Sequence, residues 1–192
     1  DILLLQSDAL HFQFTVTAGS LYMPTIKGVI QPSFFGNVHA RKAFAYALNF
    51  TELIEDAWHY EAEQPATWHI DRLVPDFRDP EITPYDIDLA KVEAELKAAV
   101  FNVTGTPESL WDSGFTTTLV YNLGNDQRKI ACDMIALNFA RLNILRPGLP
   151  PFTITVSSLP WSPDYLTEVE AGNLPAFMFG CEADYGDADN WA

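Results

Sequence analysis

The feature that most constrains the fold of this chain is an alternation of strand and helix patterns through its second half. Stretches rich in β-branched and aromatic residues are separated by segments whose apolar residues recur every three or four positions. Right-handed crossover connections would lay such strands largely parallel in one sheet. The predicted elements are a strand at residues 115–121, a helix from Asn125 or Asp126, a strand at 152–156, a helix at 163–170 capped by Ser162 and ended by Gly172, and a strand at 176–180.

The first half of the chain adds helices and a long irregular segment. Residues 61–85 contain four prolines and lack periodicity, so a long loop is predicted there, and such loops are often functional. The remaining patterns predict a strand at 11–17, a second at 26–31, a helix at 38–48, a helix capped by Thr51 that runs to Trp58, and a helix at 89–100 capped by Asp86 or Asp88. Together these elements predict an α/β fold.

The charge balance narrows the classes of partner. The 192 residues include 26 acidic and 11 basic side chains, for a formal net charge of −15. Such a surface repels a phosphate backbone and an anionic membrane, so no nucleic acid partner is expected. A charged ligand would more readily carry a positive group. Cys132 and Cys181 form no CxxC motif, and whether they pair is left open by the sequence.

Polar residues follow two of the predicted strands, where open α/β sheets bind their ligands. Asn122 ends one strand, and the acidic residues Glu182 and Asp184 follow another, beside Tyr185. A carboxylate at this position could pair with a ligand ammonium group in a partly dry cleft. Trp68, in the proline-rich loop, and Trp161, between a strand and a helix, are the aromatic side chains best placed to line a cleft.

Other interpretations of the acidic segment remain open. It could be a solvated loop that ends the strand, or, through Asp187 and Asp189, a calcium loop without the full ligand pattern. A hydrolase would need a proton donor and a base on opposite sides of a bond. The sequence has no HExxH motif, phosphate loop or glycine elbow around a serine. We therefore expect no catalytic residue, no metal site and no cofactor.

Four segments, in chain order, resemble motifs of the family 5 extracellular solute-binding proteins, the oligopeptide/dipeptide/nickel-binding group of ABC importers. Residues 37–54 (NVHARKAFAYALNFTELI) resemble its VRKAFAYAID helix, and residues 84–92 (PYDIDLAKV) its YDPEKAK helix start. Residues 118–128 (TLVYNLGNDQR) resemble LVYNTGNPQR, and residues 179–191 (FGCEADYGDADNW) resemble GWxADYPDPDNF. The match spans residues 37–192.

This resemblance implies a periplasmic-binding-protein-like lobe with a mixed, mostly parallel sheet flanked by helices. Residues 37–192 would form most of the C-terminal lobe of a two-lobed clamp, truncated before its closing strands. Residues 1–36 would be strands leading in from the other lobe. In oligopeptide-binding members the aspartate of the ADY segment pairs with the α-amino group of the peptide, a role that falls on Asp184. The other implied ligand-binding residues are Tyr185, Glu182, Trp161, Trp68 and Asn122.

The resemblance also implies the cellular role. A monomeric, extracellular or periplasmic protein would carry a peptide or another small solute to membrane permease subunits, and a lipid could anchor the full-length protein. Two departures from the motif affect the site: Gly186 and Ala188 replace its prolines, and Cys181-Glu182 makes the subsite more acidic. A sensing or signalling module with a related lobe, or an acid-dependent hydrolase fragment, is the alternative.

Overall fold

A mixed six-stranded sheet forms the centre of the part of the chain that this computed structural model describes, residues 8–15, 22–59 and 85–182. Helices pack on the sheet, as the sequence predicts for an α/β domain. The elements in chain order are β1 (Asp8–Phe14), β2 (Thr25–Ile26), β3 (Val29–Ile30), α1 (Val38–Ala45), α2 (Phe50–Trp58), α3 (Leu89–Ala98), β4 (Val100–Val103), β5 (Thr106–Ser109), α4 (Leu110–Ser113), β6 (Phe115–Asn122), α5 (Asp126–Ile144), β7 (Phe152–Leu159), α6 (Leu166–Glu170) and β8 (Ala176–Glu182).

Three parallel strands, β7, β6 and β8, form the core of this sheet, in agreement with the predicted crossovers. Asn122 pairs with Leu159, so β6 and β7 end at the same level. β8 is in register with β6 at Val120 and Phe177 and continues beyond the end of β6. The edges are antiparallel: β1 pairs with β8, and the short β2–β3 hairpin pairs with the start of β6. The mixed α/β class is confirmed.

The pleat of β6 divides its side chains between two cores. Phe115, Leu119 and Tyr121 face a large core that α1 and α5 complete. Val120 points to the opposite face, where a smaller core lies. Contacting phenylalanine rings dominate the large core: Phe34, Phe35, Phe44, Phe115, Phe139 and Phe152. Both faces of the parallel strands are therefore covered, as such strands require.

Side-chain caps fix where most of the helices begin. Asn125 accepts from the backbone N–H of Arg128 at 2.9 Å and starts α5, and Asp88 accepts from that of Lys91 and starts α3. In both cases the structure selects one of two predicted caps. The predicted cap Thr51 is wrong, because Asn49 accepts from the N–H of Glu52 and α2 begins two residues earlier. Asparagine oxygen performs this role at least as well as threonine.

Two predictions on the edges of elements fail for local reasons. The helix predicted to reach Val100 ends at Ala98, because Val100 pairs with Ser109 in a hairpin that turns at Thr104 and Gly105, both with positive φ. Ser162 caps no helix. It has extended φ and ψ angles within a helical turn, Trp161–Tyr165, that leads into α6. The predicted helix end at Gly172 is confirmed by its positive φ and by the N–H of Gly172 bonding to Val169.

Candidate ligand-binding site

The carboxyl ends of β6, β7 and β8 bring together five side chains, which we call the strand-end cluster: Asn122, Arg128, Trp161, Tyr165 and Phe179. Asn122 is the last residue of β6, and Trp161 follows β7 by two residues. In open α/β sheets this edge is where ligands bind. The strand-end cluster is therefore the candidate site.

Arg128 lies at the centre of the strand-end cluster. It belongs to the first turn of α5, yet only 6% of it is exposed. Its Nη1 donates to Oδ1 of Asn122 at 2.6 Å. The guanidinium carbon lies 5.7 Å from the ring centroid of Trp161 and 5.9 Å from that of Phe179, within the range of cation–π contacts. Arg128 thus connects the start of a helix to the ends of three strands.

The three aromatic side chains form one wall of the cluster. The ring of Trp161 stacks on Tyr165 at 5.8 Å and on Phe179 at 5.9 Å, with an angle of 24° between the planes in both pairs. Tyr165 is fully buried, and its hydroxyl donates to the carbonyl of Met178 on β8. Trp161, 41% exposed, presents apolar surface to solvent. The wall is thus anchored on its inner side and open on its outer side.

The protonation of Tyr165 supports this anchoring role. Burial raises the pKa of the Tyr165 phenol, and the nearby positive charge of Arg128 opposes that rise in part. The net direction is upward from an ordinary value near 10, so the phenol stays protonated in neutral solution. A protonated hydroxyl can donate to the Met178 carbonyl, so the contact between the helical turn and β8 persists across the neutral range.

The positive charge of Arg128 has no carboxylate partner among the side chains that the structure describes. The ion pairs of this part of the chain are formed by Lys27, His39, Lys91, Lys97 and Lys129. Moreover, Nε of Arg128 is buried without a hydrogen-bond partner. A buried charge is normally paired, because leaving water is costly unless an opposite charge compensates. The strand-end cluster thus contains a buried positive charge on an acidic protein.

The sequence-predicted site residues have different outcomes. Asn122 and Trp161 are brought together, both in contact with Arg128. The backbone of Glu182 pairs with Asp8 at the end of β8, three residues beyond Phe179, or about 10 Å along the strand. The side chain of Glu182 lies outside the described part of the structure. Asp184, Tyr185 and Trp68 lie outside the described residues.

Sequence reasoning missed Arg128, Tyr165 and Phe179. An arginine in the first turn of a helix is expected in solvent, so its burial gave no signal. The one available signal was position, since Arg128 closes the same strand-and-turn segment that contains Asn122. In the sequence, Tyr165 and Phe179 are typical of ordinary core residues, and Tyr165 does belong to the smaller core.

Other kinds of site find no support in the described part of the chain. It contains no group of three or more histidine, cysteine, aspartate or glutamate side chains that could hold a metal ion. No helix in these ranges has the length and apolar character needed to cross a bilayer. Cys132 is a free and fully buried thiol, and burial raises its pKa, so little reactive thiolate forms.

Comparison with known proteins gives one family and a set of similar folds. Residues 7–192 match the family described as bacterial extracellular solute-binding proteins, family 5 middle. No curated protein sequence matches the chain. Among solved structures, NikZ from Campylobacter jejuni in complex with Ni(L-His) has a TM-score of 0.58 at 13% identity, over 96% of this chain and 34% of NikZ.

Two further structures have similar folds. The periplasmic oligopeptide-binding protein of an ABC transporter from Thermotoga maritima has a TM-score of 0.62 at 12% identity, over 92% of this chain and 30% of that protein. AgaA from A. tumefaciens R10, in complex with agropinic acid, has a TM-score of 0.63 at 14% identity, over 96% and 33%. At these identities the similarity shows the fold. The chain spans about a third of the length of these proteins.

Proposed function

Since the chain belongs to the bacterial extracellular solute-binding proteins of family 5, we propose that it is part of the solute-binding component of an ABC importer. The resemblance of its four sequence segments to this family is confirmed by the match over residues 7–192. The observation that carries the proposal is the strand-end cluster, an aromatic wall and a buried cation at the sheet edge where α/β folds bind ligands.

The proposed division of the chain into lobes is the one that its sequence resemblance to the family implies. Residues 37–192 form most of a C-terminal lobe, and residues 1–36 are the strands that connect it to the other lobe. The solute is held between the lobes, which close on it by hinge bending. A one-sided site fits this arrangement, because Trp161 presents apolar surface outward for a second surface to cover.

The proposed solute is a peptide. Similar folds occur in proteins that bind an oligopeptide, a nickel–histidine complex and agropinic acid, so the lobe suits several small polar solutes. Asp184 is proposed to pair with the α-amino group of the peptide, because it stands in the ADY segment directly after β8. Tyr185, Glu182, Trp68, Trp161 and Asn122 are proposed to line the same cleft. The net charge of −15 favours a cationic ligand group.

The rest of the proposal concerns the cellular role. The loaded protein works as a monomer outside the cytoplasmic membrane, or in the periplasm, and delivers its solute to ABC permease subunits. It catalyses no reaction and needs no cofactor. A lipid anchor would keep the full-length protein close to its permease, because it raises the local concentration of the protein at the membrane.

Calorimetric titration of the natural protein with a pool of short peptides tests this function. Unmodified peptides should bind, and N-acetylated peptides should bind about 10- to 100-fold more weakly, because acetylation removes the ammonium group that Asp184 would contact. Asp184→Asn should remove that difference. Equal binding of both pools would keep the carrier function and exclude the role of Asp184. Failure of both pools would direct the search to sugars and metal complexes.

A further inference from the structure

The buried cation at the strand ends has no carboxylate partner among the side chains that the structure describes. Arg128 is 6% exposed, and the structure gives its guanidinium one hydrogen bond, to Oδ1 of Asn122. A guanidinium carries five N–H donors. Nε is buried and unbonded, and no carboxylate whose side chain is described forms an ion pair with Arg128. The neighbouring Trp161 and Phe179 rings offset only part of the lost hydration.

Two other arginines of the described residues donate to backbone carbonyls. Arg41 donates to the carbonyls of Phe35 and Gly36. Arg146, also buried, donates to those of Pro150 and Trp111. These two side chains fasten chain segments together. Nε of Arg146 is buried without a hydrogen-bond partner, like that of Arg128, so the two differ in their acceptors and in their position. Arg128 bonds to a side-chain amide, and its unbonded Nε lies at the ligand-binding edge of the sheet.

We infer that Arg128, held by Asn122 and flanked by Trp161, is a subsite for a carboxylate group of the solute. The inference rests on the proposed solute-binding function and deepens it, since it assigns a second charged contact of opposite sign to Asp184. A planar guanidinium with one amino group engaged can still offer its remaining edge to a carboxylate through two parallel hydrogen bonds.

Three features favour a monoanionic carboxylate over a more highly charged anion. One guanidinium balances one negative charge, and a dianion would meet a protein of net charge −15. The first turn of α5 adds a modest positive potential, since Arg128 is the third residue of that helix. The stacked Trp161 ring provides an apolar floor beside the charge, which suits a solute whose carboxylate is attached to a carbon chain.

A partly closed subsite also explains why Trp161 is exposed while Arg128 is not. The ring of Trp161 lies over the guanidinium on one side, and 41% of the residue is exposed. Its outer surface can therefore contact the apolar part of a solute beside the charge.

The test uses trialanine and trialanine amide as probes, titrated calorimetrically into the natural full-length protein. The free acid should bind about 10- to 100-fold more tightly than the amide, as expected for a charge-assisted pair. Arg128→Gln should lower the affinity for the acid by that factor and leave the amide unchanged. Arg128→Lys should recover part of the preference. The control is Arg141→Gln, an exposed position on the same helix, which should retain the full preference.

Two results would overturn the inference without touching the carrier function. One is equal affinity for acid and amide in the unaltered protein. The other is a loss of both affinities in Arg128→Gln while its preference for the acid persists, which would make Arg128 a structural residue. Near-ultraviolet circular dichroism of each variant identifies a misfolded sample. If Arg128→Gln is misfolded, Arg128→Lys, which keeps the charge, shows whether the preference for the acid depends on this side chain.

If trialanine binds in neither form, the peptide proposal fails and the arginine inference is tested separately. Sodium acetate is titrated against the ¹⁵N-labelled protein at constant ionic strength, with sodium chloride as the matched salt. A saturable shift of the Arg128 Nε–H resonance, absent for Arg141, supports the subsite. An unchanged resonance overturns it.

Discussion

Arg128 and Arg146 are both buried and lie at opposite ends of α5, yet their surroundings differ. Arg146, 4% exposed, donates to the carbonyls of Pro150 and Trp111, and its guanidinium lies 3.9 Å from the ring centroid of Phe152. Arg128 is almost as buried, but among the side chains that the structure describes its guanidinium bonds to the amide of Asn122 alone. Nε is unbonded in both side chains. The difference is that Arg146 donates to two backbone carbonyls, whereas Arg128 donates to a side-chain amide.

The difference follows the direction of the parallel strands. Arg146 lies near the start of β7, where the 146–151 loop packs against α4 and the start of β6. Its hydrogen bonds close the amino end of the sheet. Arg128 lies at the carboxyl end, where three strands stop and backbone groups are left for a ligand. The comparison indicates that the amino end of the sheet supplies stability and the carboxyl end supplies binding.

The largest effect predicted from this comparison is on the stability of Arg146→Met. The substitution would leave the carbonyls of Trp111 and Pro150 without their charged donor. We expect a loss of about 3–5 kcal/mol in the free energy of unfolding, since each hydrogen bond to a charged group contributes about 1.5–3 kcal/mol. Urea denaturation followed by circular dichroism measures it. A loss below about 1 kcal/mol would show that Arg146 does not hold the amino end together.

Two glycines at the ends of β6 provide a second contrast. Gly114, before β6, has φ +62°, and an added Cβ would lie 2.5 Å from the carbonyl oxygen of Pro150. Gly124, after β6, has φ +89° but open space around it. We expect Gly114→Ala to cost about 2–4 kcal/mol, from overlap with backbone and strained dihedrals, and Gly124→Ala about 1 kcal/mol, from strain alone.

Thermal and urea unfolding of the two glycine variants, side by side, give the answer. Equal losses would mean that dihedral strain dominates at both ends and that the tight packing around Gly114 has little energetic weight. A larger loss at Gly114 would sharpen the assignment of stability to the amino end.

The elements at both ends were predictable from sequence, because they depend on periodicity. β6 is rich in β-branched and aromatic residues from Phe115 onward, and α5 repeats apolar residues at helical spacing. Such patterns reflect one face meeting the core and need no knowledge of the partner. The starts of α3 and α5 were also predictable, each as one of two candidate caps. The cap of α2 was predicted at Thr51, and Asn49 performs that role instead.

The strand-end cluster was only half predictable, for a physical reason. Asn122 and Trp161 stood out because each follows a strand. Arg128 did not stand out, because its burial results from Asn122 and from the rings of Trp161 and Phe179. Both rings lie more than 30 residues after Arg128 in the sequence. The hairpin β4–β5 was missed for a related reason. Its strands are short and one contains Pro107, so the Thr104-Gly105 turn was the informative signal.

A smaller effect is predicted at the cap of α5. Asn125 accepts from the N–H of Arg128, so Asn125→Ala removes a cap bond and loosens the turn that positions the guanidinium. We expect a loss of about 1 kcal/mol in stability, the usual cost of an N-cap. Asn125→Asp, which keeps the acceptor, serves as the matched control in urea unfolding. If both variants lose the same amount, the cap bond contributes little.

The smallest stability effect is predicted for Arg128→Met, and it completes the contrast with Arg146. Methionine keeps most of the contact with Trp161 and Phe179 while removing a buried charge that has no carboxylate partner among the described side chains. Replacing a buried charge by an apolar side chain is often neutral or stabilising. We therefore expect a change within about 0.5 kcal/mol in either direction by urea unfolding. A loss of stability as large as that of Arg146→Met would mean that Arg128 also stabilises the fold. The two ends of the sheet would then not divide stability and binding between them.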